Sequence, residues 1–187
     1  MVILIGGSSH VGKTMVAHHL IRRFGYECLS LDSLKDAFGK TRIGNPGDLS
    51  DYRMRYWMWP FVAQIIRNAI QNGRNLIVEG CYIPGEWAQA FSEEELSEIR
   101  CVFLVMSQGY LLSHEDQIRS HANDIEKRRT DEIDIQRLVN CSMEFKEDCI
   151  KSGTFYIEID GEYDDESLFS AVESVIEDDC SEKGIVL

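Results

Sequence analysis

At 187 residues, 44% of them hydrophobic and 27% charged, the chain has the make-up of one globular domain, long enough to bury a core without disulfide or metal staples. Its formal charge of −13 argues against a partner held mainly by phosphate neutralisation, such as duplex nucleic acid or an anionic membrane, but leaves room for a small anion in a locally positive pocket. The six cysteines form no C-x-x-C pair, and no apolar run approaches the ~20 residues of a bilayer-spanning helix, so the expected location is the reducing cytoplasm.

Five short apolar runs recur along the chain, at 2–5 (VILI), 26–31 (YECLSL), 75–78 (NLIV), 101–106 (CVFLVM) and 155–159 (FYIEI). Unbroken runs of this length suit strands covered on both faces of a parallel sheet. The last is less pure and reads as an edge strand. Cys28 and Cys101 lie in or beside such runs and read as buried thiols. After the first run, Met15, Val16, Leu20 and Ile21 share one helical face, which Gly25 closes. From Met54 a single stripe passes through Trp57, Met58, Phe61, Val62, Ile65, Ile66, Ala69 and Ile70, with Pro60 inside it, so a kink or break is expected near 56–59. Ser92 and Glu95 form a capping box for a short acidic helix. The polar stretch 107–140 reads as two helices and a connection, and 166–177 as a terminal helix with Leu168, Phe169, Val172, Val175 and Ile176 inward. Strands alternating with helices imply right-handed βαβ units in an open parallel sheet.

Between the first run and its helix stands Gly7-Ser8-Ser9-His10-Val11-Gly12-Lys13-Thr14, which fits G-x-x-x-x-G-K-[ST]. A polyphosphate needs several successive backbone N–H groups pointing inward, and glycines let the chain come that close with the required dihedrals. The following helix adds its N-terminal donors and dipole. Lys13 supplies a point charge to the outer phosphates, and Thr14 a hydroxyl to Mg²⁺. The plainer alternative is a glycine-rich turn that binds nothing.

This loop, the Asp32 that ends "LSLD" and the "LIVEG" at 76–80 together resemble the small P-loop kinases, a group that includes shikimate kinase, adenylate kinase, chloramphenicol phosphotransferase and the zeta-toxin-like and 2-phosphoglycerate-kinase-like proteins. The resemblance implies a three-layer α/β P-loop NTPase fold. Its five-stranded parallel sheet would run in the order 2-3-1-4-5 with helices on both faces, within one domain over 1–187. A substrate-binding region would follow the second strand (33–72) and a lid the fourth (108–135). It also implies ATP and Mg²⁺ and a small-molecule acceptor, with neither nucleic acid nor membrane as a partner.

Asp32, at the carboxyl end of a strand, would take the proton of an acceptor hydroxyl or hold a Mg²⁺ water; it also suits a helix N-cap. Glu79 ends an apolar run where a carboxylate near Mg²⁺ belongs, and reads otherwise as a solvated strand end. Cys81 follows as a pocket-lining or merely small residue. Metal ligation thus falls to Thr14, Asp32 and Glu79. Arginines fork onto phosphate oxygens. Arg119, Arg128 and Arg129 lie in the lid region, with Arg119 and Arg128 the candidate contacts; Glu126 and Glu132 could instead pair with such charges on a solvated helix. Arg42, Arg53 and Arg55 form a second group: Arg53 and Arg55, among Tyr52, Tyr56 and Trp59, suit an anionic or ring-bearing acceptor or an ordinary exposed face, and Arg42 lies in a loop at 40–48 that could close over substrate. His18-His19 point apart on a helix, His114-Glu115 lacks a second zinc histidine, and Asp36-x-x-Gly39 follows no strand. The expected activity is transfer of the γ-phosphoryl group of ATP to a small molecule. Nucleoside monophosphate kinase and a nucleotide-dependent regulatory or toxin-like protein stand as alternatives.

Overall fold

The computed structural model describes residues 1–41, 49–121, 133–177 and 184–187. In chain order the elements are β1 (Val2–Gly7), α1 (Lys13–Phe24), β2 (Glu27–Ser30), α2 (Leu31–Lys40), α3 (Asp51–Gln71), β3 (Leu76–Glu79), a 3₁₀ turn (Trp87–Ala90), α4 (Glu93–Ser97), β4 (Ile99–Met106), α5 (Gln108–Ser113), α6 (Glu115–His121), α7 (Ile135–Ser152), β5 (Tyr156–Ile159), α8 (Asp165–Glu177) and β6 (Gly184–Val186). All strand pairs are parallel, in the order β2-β3-β1-β4-β5-β6.

The expected 2-3-1-4-5 order is present, extended by a sixth strand. Residues 184–186 (GIV) pair with β5, which is therefore internal rather than an edge. Three residues make too short a run to stand out by composition. The true edges are β2 and β6, and Cys28 on β2 is exposed instead of buried.

The run VILI is apolar throughout because both faces are covered. Ile3 and Ile5 pack with α1, α5 and α8, while Val2 and Leu4 pack with α3 and α7. α3 passes unbroken through Pro60, contrary to the expected break. Pro60 is exposed, so the Tyr56 carbonyl that loses its helical donor lies on the same outer side. The capping box of α4 forms as expected: Glu95 N–H donates to Ser92 Oγ at 3.2 Å and Ser92 N–H to Glu95 Oε2 at 2.9 Å. The second helix expected within 107–140 runs on to Ser152. Its buried face is Ile135, Leu138, Val139, Ser142, Phe145 and Cys149, and a serine and a cysteine among the inward positions thin the apolar stripe. Among the described residues no helix is long and apolar enough to cross a membrane.

Candidate functional site

β1 delivers the chain to the carboxyl edge between β3 and β4. There Gly7 takes φ +122°, and a Cβ on it would stand 1.9 Å from the Leu104 carbonyl oxygen. Only glycine lets the loop leave the sheet at this point. His10 (φ +62°) and Gly12 (φ +91°) reverse the chain twice more before α1 begins. Val11 is fully buried and anchors the turn in the core. The helix start carries no side-chain cap bond and no acidic residue in its first turn, so its amides and dipole face the loop uncompeted. Lys13 is buried inside this curl, and its Nζ donates to the Ser8 carbonyl at 2.5 Å. A buried ammonium beside an uncapped helix N-terminus is an arrangement suited to an anion.

Glu79 closes β3 and is 2% exposed. The register Ile5↔Glu79 sets it beside the strand that enters the loop, and Thr14 Oγ1 donates to its Oε2 at 3.4 Å. The reading of Glu79 as a solvated strand end is therefore set aside. Gly80 has φ +147°, and a Cβ there would meet Leu31 Cβ at 2.8 Å, so α2 packs directly onto the end of β3. With Ser30 opposite Glu79, Asp32 falls in the first turn of α2 at the same edge. Ser30, not Asp32, holds the N-cap position. Thr14, Glu79 and Asp32 offer only hard oxygen donors, the set Mg²⁺ prefers when phosphates and water complete its shell. No cluster of three or more His, Cys, Asp or Glu that could hold a metal ion forms among the described residues.

Beyond Asp32 lies a group that sequence pattern did not single out. Lys35, three residues on and hence on the same face of α2, donates to Tyr82 Oη at 2.5 Å and to Asp51 Oδ1 at 3.2 Å. Arg137, in the first turn of α7, donates to Asp51 Oδ2 at 2.6 Å. Tyr82 is buried, and burial together with the charges of Asp51 and Asp32 pushes its phenol well above the ordinary range. Burial would raise Asp51, but Lys35 and Arg137 together hold it below the usual carboxylate range. Two cations thus converge on one carboxylate beside Asp32. Spacing from Asp32 could have flagged Lys35; nothing local marks Arg137.

The arginines divide differently from expectation. Arg55 is neither an acceptor contact nor part of an exposed face. It is 3% exposed, pairs with Asp148 at 3.1 Å and Glu144 at 3.3 Å on α7, and lies 4.0 Å over the Phe145 ring. It fastens α3 to α7. Arg55→Ala is expected to cost about 3 kcal/mol in a denaturant melt, because it empties a buried site against Phe145 and leaves partly buried Asp148 without its counter-charge. Arg53 is exposed at the start of α3, its backbone N–H donating to Ser50 Oγ. Arg119 on α6 is exposed and held by Glu115 at 2.6 Å. Arg42, Arg128 and Arg129 lie outside the described residues, as does part of the expected lid. Cys81 does line the loop: its Sγ is 3.5 Å from Ser9 Oγ.

A family model described as an AAA domain matches residues 2–103, a span that holds the loop, Asp32 and Glu79. The chain belongs to this AAA-domain family. Solved structures extend the likeness over nearly the whole length. Shikimate kinase from Aquifex aeolicus vf5 aligns with TM-score 0.51 at 16% identity, covering 95% of this chain and 96% of that one. A gluconokinase from Sinorhizobium meliloti 1021 aligns with TM-score 0.51 at 16% identity, covering 94% and 90%. Shikimate kinase from Bacteroides thetaiotaomicron gives 0.50 at 16% identity, covering 95% and 96%. The AAA-domain chain therefore has the fold of the small P-loop kinases. No curated protein matches the sequence significantly.

Proposed function

We propose that this protein is an ATP-dependent phosphotransferase that moves the γ-phosphoryl group to a hydroxyl of a small anionic molecule. The observation that carries the reading is Lys13 enclosed by the loop of residues 7–14, with Thr14 on Glu79 beside it. The loop amides hold the outer phosphates, and Lys13 exchanges the Ser8 carbonyl for phosphate oxygen. Thr14 and Glu79, with Asp32, would hold Mg²⁺, which when bound neutralises charge on the phosphate oxygens. Asp32 takes the acceptor's proton as its oxygen bonds to the γ-phosphorus and the bridging P–O bond to ADP breaks. Arg119 or Arg128, from the region 108–135, closes over the phosphates and excludes water.

Lys35 and Arg137 bind the acceptor's own anionic group, for which Asp51 marks the place between them. Carboxylated polyols head the acceptors to be tried, as two similarly folded proteins are a shikimate kinase and a gluconokinase. The same two cations suit a phosphate, so a nucleoside monophosphate is the second reading, and Asp32 then serves the metal alone. The whole chain acts as one domain, with 33–72 as its acceptor side. The enzyme works in the cytoplasm, where its five described free cysteines stay reduced.

The test is ADP release with Mg²⁺ and ATP across hydroxy-acids, sugar phosphates and nucleoside monophosphates. Acceptor-dependent release, with anionic acceptors preferred over their neutral analogues, is expected. Slow hydrolysis indifferent to every acceptor would instead assign a nucleotide switch.

A further inference from the structure

Where β1 leaves the sheet, β4 continues. The β1–β4 register ends at Gly7↔Leu104, and Ser8 N–H makes the last bond across, to the Leu104 carbonyl at 3.1 Å. Met106, two residues further along β4, would then have its N–H and C=O facing the place a β1 residue would fill. Both are satisfied by one side chain on α7. Met106 N–H donates to Ser142 Oγ at 2.9 Å, and Ser142 Oγ donates to the Met106 carbonyl at 2.7 Å. A hydroxyl has one proton and two lone pairs. The remaining lone pair accepts from Ser8 Oγ at 3.4 Å. Ser142 is 1% exposed, so its hydrogen-bonding capacity is met wholly by protein.

We infer that Ser142 is a positioning residue for nucleotide binding: it stands in for the departed strand and fixes Ser8, whose carbonyl receives Lys13, so that the anion loop is set by α7. The inference rests on the nucleotide reading above. A serine is suited to the task because it has both a donor and acceptors on a short stem. Leucine or valine at this inward position would pack as well but leave two buried backbone groups unpaired. The chain of contacts runs Met106–Ser142–Ser8–Lys13, and every link joins a different part of the fold. α7 also carries Arg137 at its first turn, so a shift of this helix moves the acceptor side and the phosphate loop together.

The experiment is a double-mutant cycle on the full chain, read by Mg²⁺–ADP binding and by the KM for ATP. Ser142→Ala is expected to weaken ADP binding about tenfold, and Ser8→Ala by several-fold, with the double variant close to Ser142→Ala alone. Effects that multiply, or ADP affinity within about twofold of wild type in a Ser142→Ala protein that merely melts earlier, overturn the inference. If Ser142→Ala does not fold, Ser8→Ala decides. It leaves the Met106–Ser142 pair intact, so weakened ADP binding supports the strut and unchanged binding refutes it. A wild-type protein that binds no ADP at all removes the nucleotide reading itself, and this inference with it.

Discussion

Lys13→Ala removes turnover while the protein stays folded. Lys13 is the one cation enclosed by the loop among the described residues, and its amine bonds only to the loop's own Ser8 carbonyl. No ion pair is formed by it among the described residues, and alanine is a better helix former than lysine at the first position of α1. The charge that builds on the transferred group and the leaving ADP then has no ammonium beside it. Losses of roughly 10³-fold or more are expected for a charge aimed at the reacting group in a water-excluded site. The melting midpoint should shift by less than the equivalent of about 1 kcal/mol. Acceptor-dependent ADP release and thermal denaturation, measured on the same preparation, check both halves. Undiminished release would mean that the loop does not carry the chemistry. Lys13→Arg should recover little, since the curl is built around a compact ammonium and not a planar fork.

The parts of this site that sequence made legible are those fixed by local constraints. A strand apolar on both faces, a turn needing positive φ at glycine, and a carboxylate at the end of an apolar run each leave a signature within a few residues. That is why the loop, Glu79 at its strand end and the α4 capping box emerge from pattern alone, whereas the sheet order came only with the resemblance to the small P-loop kinases. What was not legible depends on partners distant in the chain. Arg55 looked outward because it stands off the apolar stripe of α3, but α7 covers that side and brings Asp148, 93 residues later, onto it. Arg137 meets Asp51 across 86 residues, and Ser142 meets Ser8 across 134. No periodicity encodes such pairings. β6 escaped for another reason: its three residues gain their strand character only by lying along β5. Pro60 marks a kink or a break in the sequence, but it does not break α3, because a proline on the outer side of a long helix removes a hydrogen bond that solvent can replace.

Asp32→Asn separates chemistry from binding. Asparagine matches aspartate in size and remains acceptable in the first turn of α2, so the packing of Leu31 on Gly80 is kept. Lys35 and Asp51 still bond to each other, so the acceptor side keeps its cations. What is lost is a carboxylate able to accept a proton where β2 and β3 end together. If Asp32 is the base, turnover falls about 10²- to 10⁴-fold, while the KM for ATP stays within about twofold. Equal losses in turnover and in nucleotide affinity would move Asp32 to the metal. A nucleoside monophosphate acceptor predicts that second pattern, because its phosphate oxygen arrives already deprotonated and needs no base. One substitution, read in kcat and KM separately, therefore distinguishes hydroxyl acceptors from phosphate acceptors as well as base from ligand.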